Sequence, residues 1–436
     1  MSGFSRTVPA LVSVVVPVRR TRAVSGALKP VLTLVLMTMW STAVFGQDAL
    51  DQTDEALHLE SPGGALQSDL SVVFDLEGYA VDQRPPGLIF AAGGANPRLS
   101  LFVETRFGKR FSSLIQARVD RGFDPCERPH EARLDEYLLR YTPFADGRLN
   151  VQAGKFATVF GGWVPRHHSW ENPFVTAPLP YENVTVVTDT VAPASPQAFL
   201  ARVDVADKKN EWVPVVWGPV YATGASAFGS WKRFDYAVEW KTSGLSARPD
   251  AWGPTAGDWR HPNVAARVGH RPNAAWTLGL SLSRGPYMRP AAEPSLSSHY
   301  DPSGNYRVSD FHQTTAAGDL SFARRHWEFW SELIFSRFNV PNVGDADAWS
   351  YYVEGKYKIS PRLSAALRWG QQRFGDLPDG AGGLRPWDGA IWRTDQALGW
   401  RWTRHIQAKL QYSFSREDKT VAQDRHLVSA QATVRF

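Results

Sequence analysis

Residues 349–359 read Trp-Ser-Tyr-Tyr-Val-Glu-Gly-Lys-Tyr-Lys-Ile, and this stretch decides the fold class. The odd-numbered positions are apolar or glycine, whereas the even-numbered positions carry a serine, a tyrosine, Glu354, Lys356 and Lys358. Successive side chains on a β-strand point to opposite faces, so the stretch predicts a strand with one apolar and one polar face. Helical spacing does not fit this pattern.

The same alternation recurs along the chain, for example over residues 70–77, 234–241 and 406–415. Marking every such run predicts 16 strands, and the connections between them alternate strictly between short turns and longer, Gly-, Pro- and Asp-rich loops. The predicted strands lie near residues 68–80, 98–108, 111–121, 131–143, 147–158, 219–229, 233–243, 262–270, 274–284, 310–323, 326–338, 348–359, 362–374, 391–402, 405–416 and 426–436.

This rhythm distinguishes two all-β architectures. A soluble sandwich would also alternate, but it requires neither the short-long rhythm nor strands of ten or more residues throughout. Strands that cross a bilayer need about 9–11 residues, and bacterial barrels have short periplasmic turns and long external loops. We therefore predict a transmembrane antiparallel up-and-down β-barrel of about 16 strands in the bacterial outer membrane, with both termini on the periplasmic side.

The N-terminus differs from the rest of the chain. Residues 31–45 form an apolar run preceded by a basic region, which is the pattern of a secretory signal peptide and too short for a membrane-spanning helix. We expect residues 1–46 to be a signal peptide, 47–66 a short periplasmic segment and 67–436 the barrel. The unusual length of the basic region leaves the true start and the cleavage site open.

Loss of this leader changes the charge balance. Residues 1–46 hold five basic and no acidic residues, so 48 − 5 = 43 basic residues face 43 acidic ones in the mature chain. Its net charge of zero gives no reason to expect a nucleic-acid partner. The single cysteine, Cys126, excludes a disulfide framework, and we expect no cofactor. A mean hydropathy of −0.31 combined with 18 tryptophans is typical of a transmembrane barrel.

Aromatic residues cluster where the predicted strands meet the short turns. Such rings form the girdles of membrane barrels, with their apolar bodies in lipid and their polar tips at the headgroups. The predicted periplasmic girdle comprises Phe107, Phe111, Tyr141, Trp231, Phe234, Trp276, Phe322, Trp327, Tyr357 and Trp402.

The last strand ends in an unbroken alternation that closes on Phe436. This ending resembles the C-terminal signature of outer-membrane barrels, in which a terminal aromatic residue is read by the barrel-assembly machinery. The resemblance implies that this machinery is a partner and that Phe436 is the assembly signal. Outer-membrane lipid is the other expected partner.

The number of strands predicts the width of the barrel. About eight strands leave an interior filled by side chains, whereas 16 to 18 leave an aqueous channel. Transporters of about 22 strands need a plug domain, and we expect none here because only about 20 residues precede the first strand. We therefore expect a porin, a water-filled channel for passive diffusion of small polar solutes or ions.

The longest connection, about residues 159–218, follows the fifth strand. In strand count, loop position and C-terminus the chain resembles bacterial general porins, whose inward-folding constriction loop also follows the fifth strand. Residues 149–161 are similar to the "GKF…G" stretch of the phosphate-selective porin O/P family. The resemblance implies an inward loop and is compatible with a homotrimer. Weak alternation over 184–191 and 197–205 leaves 18 strands as an alternative.

Several charged residues in and beside this loop are candidates for the constriction. By parity Lys155 lies on the lipid side; a bulge at Gly154 would turn it into the pore, and an interfacial lysine reaching the headgroups is the alternative. Adjacent histidines diverge and have no third ligand nearby, so no metal site is expected. The candidates within the loop, which mixes both charge signs with aromatic residues, are Arg166, His167, His168, Glu171, Glu182 and Asp189.

Alternation also predicts which charges line the lumen, and the two signs balance at 11 each. A mixed wall gives no strong ion preference and weakens the inference of phosphate selectivity. The acidic residues are Asp75, Glu77, Glu104, Asp120, Glu136, Asp235, Glu239, Glu328, Glu332, Glu354 and Asp395. The basic residues are Arg106, Arg118, Arg140, Lys241, Arg267, Lys356, Lys358, Arg368, Arg401, Lys409 and Arg435.

Two other functions remain as alternatives. An adhesive or structural barrel would direct the long loop outward. An outer-membrane hydrolase would need an activated nucleophile, but the sequence contains neither G-x-S-x-G nor H-E-x-x-H, so we expect no enzyme.

Overall fold

The computed structural model describes residues 51–52, 56–81, 93–120, 131–208, 211–248, 259–419 and 424–436. The predicted signal peptide and Cys126 lie outside these residues. Sixteen antiparallel strands pair in sequence order, and the last pairs with the first, for example Val73 with Arg435, which closes the sheet. The prediction of a closed 16-stranded antiparallel barrel is confirmed.

The strands extend the predicted segments by a few residues or shorten them slightly. They are β1 (Leu66–Val81), β2 (Gly93–Phe107), β3 (Phe111–Asp120), β4 (Glu131–Tyr141), β5 (Asn150–Phe156), β6 (Ala222–Trp231), β7 (Phe234–Lys241), β8 (Asn263–His270), β9 (Trp276–Pro286), β10 (His312–Arg324), β11 (Trp327–Val340), β12 (Gly344–Lys358), β13 (Leu363–Phe374), β14 (Ile391–Arg401), β15 (Ile406–Glu417) and β16 (Arg425–Arg435).

Shorter strands and helices lie at the ends and in the interior of the barrel. Three further strand pairs are His58–Glu60 with the start of β1, Val184–Thr188 with Trp212–Pro214, and Asp376–Pro378 with Leu384–Pro386. The α-helices are Leu179–Glu182, Pro196–Leu200 and Glu293–His299, and the 3₁₀ helices are Val164–Arg166, Ala201–Asp204, Pro290–Ala292 and Val308–Asp310. No helix among the described residues is long and apolar enough to cross a bilayer.

One external connection is shorter than the sequence predicts. β11 ends at Val340 and β12 begins at Gly344, so only three residues separate them. The two strands pair to their ends, and Arg337 reaches Asp347 across the hairpin at 2.6 Å. This cross-strand ion pair favours the extended hairpin over a loop.

The barrel is apolar outside and polar inside. Leu280 and Leu333 are 72% and 59% exposed on the outer face, whereas the adjacent Ser281 and Glu332 are 6% and 1% exposed on the inner face. A continuous exposed band of this kind would be strongly unfavourable in water and is removed from water by lipid. The band therefore marks the membrane-facing surface.

Aromatic residues border this band beside the short turns. Their rings meet as cross-strand partners: Phe111 with Tyr141, whose centroids are 4.9 Å apart, and Trp327 with Tyr357 at 4.6 Å. Such pairs stabilise neighbouring strands in addition to anchoring the barrel at the interface.

The connection from β5 to β6, residues 157–221, lies inside the barrel and contains its main hydrophobic core. Trp163, Tyr181 and Val186 of this loop are buried together with Ile334 and Tyr352 of the wall. Val184–Thr188 pairs only with Trp212–Pro214 of the same loop. These strands do not join the barrel sheet, so the alternative of 18 strands is wrong.

Candidate channel constriction

The loop of residues 157–221, called the lumen loop below, is fixed first to Glu332 on β11. This carboxylate accepts hydrogen bonds from the backbone N–H of Gly162, from that of Trp163 at 3.2 Å and from the Tyr181 hydroxyl at 2.8 Å. Gly161 has φ +79°, and a Cβ there would lie 2.3 Å from the Tyr181 oxygen. A glycine is therefore required where the loop turns across the lumen.

A second set of contacts joins the loop to β12, β13 and β14 through buried ion pairs. Arg166 of the loop lies 2.6 Å from Glu354, and Arg368 contacts both Glu354 at 3.2 Å and Asp395 at 2.6 Å. The Arg368 guanidinium also donates to the Thr176 carbonyl of the loop at 3.1 Å. Glu182 of the loop pairs with Arg393, which also contacts Asp395. The predicted constriction residues Arg166, Glu182 and Arg368 therefore belong to one network of ion pairs.

Side chains of β14, β15 and β16 hold the loop through one of its carbonyls and one of its aromatic rings. The Ser169 carbonyl accepts from Lys409 and, at 2.8 Å, from Gln407. Trp170 lies between two guanidiniums, with Arg401 4.7 Å and Arg435 4.0 Å from its ring centroid. Arg401, predicted to line the pore, therefore makes a cation–π contact with the loop.

The rings of the adjacent histidines contact each other at a tilt of 39° instead of diverging. The ring centroids of His167 and His168 are 3.9 Å apart; His167 Nε2 lies 2.8 Å from the Tyr221 hydroxyl, and His168 contacts the Phe102 ring edge-on at 5.4 Å. Burial lowers the pKa of His167 to about 4 and that of His168 well below its usual value. Both rings are neutral at pH 7 and add no positive charge to the constriction.

The barrel wall at β3 and β4 has a compact cluster of four charged side chains. Arg118 lies 2.5 Å from Asp135, and Arg133 lies 2.7 Å from Asp120 and 2.8 Å from Asp135. A β-bulge shifts the register between these strands, so that Leu134 and Glu136 face successive residues of β3. Strict alternation from Glu136 would place Arg133 and Asp135 in lipid; the bulge turns them inward.

Lys155 is turned inward by its glycine neighbour. Gly154 has φ +140°, and a Cβ on it would lie 2.1 Å from the Tyr137 carbonyl oxygen. The Lys155 side chain is fully buried and its Nζ donates to the Leu134 carbonyl at 2.7 Å. It therefore lies inside the wall, neither in lipid nor in contact with water in the lumen.

The remaining predicted residues occupy separate places. Glu136 accepts from the Ala157 N–H at 2.8 Å at the start of the lumen loop, whereas Arg140 donates to Gln152 at 3.0 Å beside the short turn between β4 and β5. Arg106 is exposed and 3.7 Å from Glu104. Glu171 is exposed in the loop, whereas Asp189 is buried, with its carbonyl accepting from the Arg289 N–H at 2.7 Å.

Several wall charges were missed in the sequence analysis. Arg98 on β2 pairs with Asp75 at 3.0 Å and with Glu77, and Asp319 on β10 pairs with Arg267 at 2.7 Å. Both lie on the inward parity of their strands, so alternation was sufficient to identify them. Arg393, the ion-pair partner of Glu182, has the same parity as Asp395, so alternation also identifies it as a lumen-facing residue.

A further cluster ties the lumen loop to the external loops. The Lys419 ammonium, 4% exposed, lies 2.8 Å from Asp207 of the lumen loop, 3.0 Å from Asp388 and 2.9 Å from Glu417. Asp388 also accepts from the Val186 N–H at 3.0 Å. Burial raises the pKa of Asp388 to about 6 despite the opposing effect of Lys419.

A cavity of about 410 Å³ remains between the lumen loop and the end of the barrel that carries the C-terminus. It lies between residues 167–171 of the loop and the wall formed by β1 to β3, residues 404–405 and the C-terminus. Arginines, histidines and aromatic rings all contribute to its lining, including Arg98, Arg118 and Arg435. No group of His, Cys, Asp and Glu side chains suited to a metal ion occurs among the residues that the structure describes.

Comparison with solved structures shows the fold. OmpF of Salmonella typhi, solved in complex with daunomycin, matches with a TM-score of 0.54 and 9% identity over 87% of this chain and 100% of that one. An anion-selective porin from Comamonas acidovorans matches with a TM-score of 0.52 and 10% identity over 85% and 100%. The outer-membrane channel DcaP of Acinetobacter baumannii matches with a TM-score of 0.51 and 10% identity over 87% and 99%.

No protein-family model and no curated protein matches the sequence. At this identity the structural matches show the fold alone, which is that of outer-membrane porins. Together with the apolar outer face, this fold places the barrel in the bacterial outer membrane.

Proposed function

We propose that this protein is a porin through which small polar solutes cross the outer membrane by passive diffusion. The observation that carries the proposal is the lumen loop. It crosses a barrel wide enough for an aqueous channel, and it is fixed to the wall at Glu332 and Arg368 and to the connection after β15 at Lys419. A loop held in this way narrows the passage, as a constriction requires. An adhesive loop would instead project outward, so its position favours the channel.

Its selectivity should be weak between simple ions. The wall charges are largely paired with one another, as in the Arg118, Arg133, Asp120 and Asp135 cluster, and each pair presents little net field to an ion. We do not extend the proposal to phosphate selectivity, because Lys155 of the "GKF…G" stretch donates to a backbone carbonyl and is shielded from solutes.

Assembly is proposed to depend on the C-terminus. The Phe436 backbone pairs with Val72 of β1 through N–H and C=O hydrogen bonds of 2.9 and 3.1 Å. The terminal residue thus completes the closing ladder of the sheet, which fits a role as the signal for the barrel-assembly machinery. A homotrimer remains part of the proposal, and chemical cross-linking in outer-membrane vesicles would test it.

Liposome swelling tests the channel directly. The paired residues Phe156 and Ala222 flank the lumen loop, so a short Gly-Ser turn can replace residues 159–218 without breaking the sheet. Proteoliposomes with the intact protein should swell in small sugars and not in large ones, and the loop-deleted variant should admit larger sugars. Equal size limits for both proteins, each shown to be folded by its heat-dependent electrophoretic mobility, would contradict a constricting role.

A further inference from the structure

A groove on the outer face of the barrel crosses β8 to β11 close to their short turns. Gly318 of β10 forms its floor, because it has no side chain between its exposed cross-strand partners Leu280 and Leu333. Val268 and Leu278 extend the apolar lining. With about 590 Å³, the groove falls within the roughly 300–1,000 Å³ of typical small-molecule sites. An apolar chain therefore makes more contacts here than on a flat stretch of the outer face.

The polar residues of the lining do not make the groove acidic. They are His270, Asp319 and Ser331. The Asp319 carboxylate is only 7% exposed and lies 2.7 Å from Arg267 on the lumen side of the wall. The groove itself therefore suits an apolar group, and a charge on the same ligand has to be met at the end of the groove.

One end of the groove meets exposed basic side chains on three neighbouring short turns. We call this cluster the cationic edge, and it comprises Lys232, Arg233, Arg271, Arg324 and Arg325. Arg233 directly precedes Phe234, which belongs to the lining of the groove. Arg271 directly follows His270 of the same lining. The third turn adjoins the second because β9 and β10 are paired strands.

The cationic edge is poorly neutralised. Its single ion pair among the described residues joins Arg271 to Asp235 at 3.5 Å, and Arg271 is still 66% exposed in that pair. Arg233 donates one N–H to a backbone carbonyl of the next turn at 2.9 Å. Five basic side chains thus face one carboxylate, so the edge attracts an anionic group.

Basic residues recur on the other short turns. Each short turn between consecutive strands, all of which the structure describes, has at least one exposed Lys or Arg, and Asp146 is the only acidic residue in them. A second copy of this chain would have to bring carboxylates to the cationic edge, and these turns supply almost none. The charge therefore favours an anionic lipid over another barrel as the occupant of the groove.

We propose that the groove and the cationic edge together bind one anionic phospholipid. An acyl chain would lie over Gly318, and the phosphodiester would meet Arg271 and Arg324, because guanidiniums form paired, charge-assisted hydrogen bonds with phosphate oxygens. Bacterial barrels have their short turns on the periplasmic side, so the lipid would belong to the leaflet on that side. The site does not depend on the proposed channel function, because a lipid reaches the outer face without entering the lumen.

Native mass spectrometry of the intact, delipidated protein in detergent measures lipid binding and the number of chains per assembly in one spectrum. The probes are phosphatidylglycerol, phosphatidylcholine with the same acyl chains, and inorganic phosphate. We expect phosphatidylglycerol to occupy one site about 25-fold more tightly than phosphatidylcholine, about fivefold for each of two arginines. Equal affinity for both lipids, or displacement of phosphatidylglycerol by an equal concentration of phosphate, would overturn the proposal.

Gly318→Leu tests the apolar half of the site. A Cβ at this position would meet only the Leu280 side chain at 3.8 Å, so the strand accommodates the new side chain while the groove is filled. Binding of both lipids at this site should fall about tenfold. The control Ala365→Leu adds the same side chain to the outer face of β13, beside the exposed Leu398, and should leave binding unchanged.

The double variant Arg271→Gln with Arg324→Gln tests the charged half and should reduce phosphatidylglycerol binding to the level of phosphatidylcholine. Its control, Lys109→Gln with Arg110→Gln, removes the same charge from the distant turn between β2 and β3 and should have no effect.

Heat-dependent electrophoretic mobility verifies the folding of each variant. Equal losses in the two double variants would show adsorption to the whole rim and overturn the site. A Gly318→Leu protein that binds lipid normally but has fewer chains per assembly would identify the groove as an interface between copies and also overturn it. Because the measurement needs no current, its failure would leave the proposed channel function untouched.

Discussion

Substitution of Glu332 by alanine should release the start of the lumen loop from the wall. The carboxylate is 1% exposed and accepts from three donors of the loop: the N–H groups of Gly162 and Trp163 and the Tyr181 hydroxyl. In the variant these three donors lose their carboxylate acceptor, although water in the lumen can accept some of the hydrogen bonds.

The size of the effect follows from these contacts. A hydrogen bond to a charged group contributes about 1.5–3 kcal/mol, and two lost bonds at the lower figure amount to about 3 kcal/mol. Since every 1.4 kcal/mol changes an equilibrium tenfold, the detached state of this segment should become about 150-fold more populated. The rest of the loop stays attached through Arg368 and Lys419, so the change is local.

Single-channel recording is the assay for this substitution. We expect Glu332→Ala channels to flicker between the wild-type conductance and a higher level, because a detached segment opens part of the cross-section. The matched control is Glu104→Ala, which removes an exposed wall glutamate 3.7 Å from Arg106 and contacts no described part of the loop. If Glu332→Ala and Glu104→Ala give the same steady current as the wild type, Glu332 does not hold the loop.

Three other predictions concern the external cluster, the histidines and the C-terminus. Lys419→Met leaves buried carboxylates without their ammonium partner, so it should lower the free energy of unfolding by about 3–5 kcal/mol, measured in urea. Asp388 already has a pKa of about 6, so its protonation at low pH should relieve part of this loss. The loss of stability should therefore be smaller at pH 5 than at pH 8. His167→Gln with His168→Gln should leave the reversal potential unchanged at pH 7, since both rings are neutral; a shift toward cation selectivity would show that they are charged. Deletion of Phe436 should reduce the yield of heat-modifiable barrel in outer membranes, and a normal yield would refute its role as an assembly signal.

The strands were predictable because the membrane imposes one simple rule on each of them. Lipid outside and water inside require alternating side chains, so the pattern around Val353 and Glu354 is sufficient to define a strand and both its faces. Turn and loop lengths then predicted a closed barrel. The exception is the hairpin between β11 and β12, where the strands pair beyond their predicted ends and Arg337 meets Asp347 across the hairpin.

The interior was less predictable because it depends on contacts distant in sequence and on backbone irregularities. Arg133 and Asp135 face inward only because of the bulge on β4, and Lys155 is buried only because Gly154 adopts a positive φ. The sequence predicts Arg166 and Arg368 as constriction residues, but their convergence on Glu354 joins segments about 190 residues apart. No local pattern predicts which wall charge a loop residue will meet.

Planar-bilayer conductance of the purified intact protein tests the central claim most directly. The account predicts discrete, stable current steps that are roughly ohmic, with a reversal potential near zero in a potassium chloride gradient because the wall charges are paired. The variant in which residues 159–218 are replaced by a short turn should give larger steps. A correctly folded, heat-modifiable barrel that produces no current steps in either form would contradict the account.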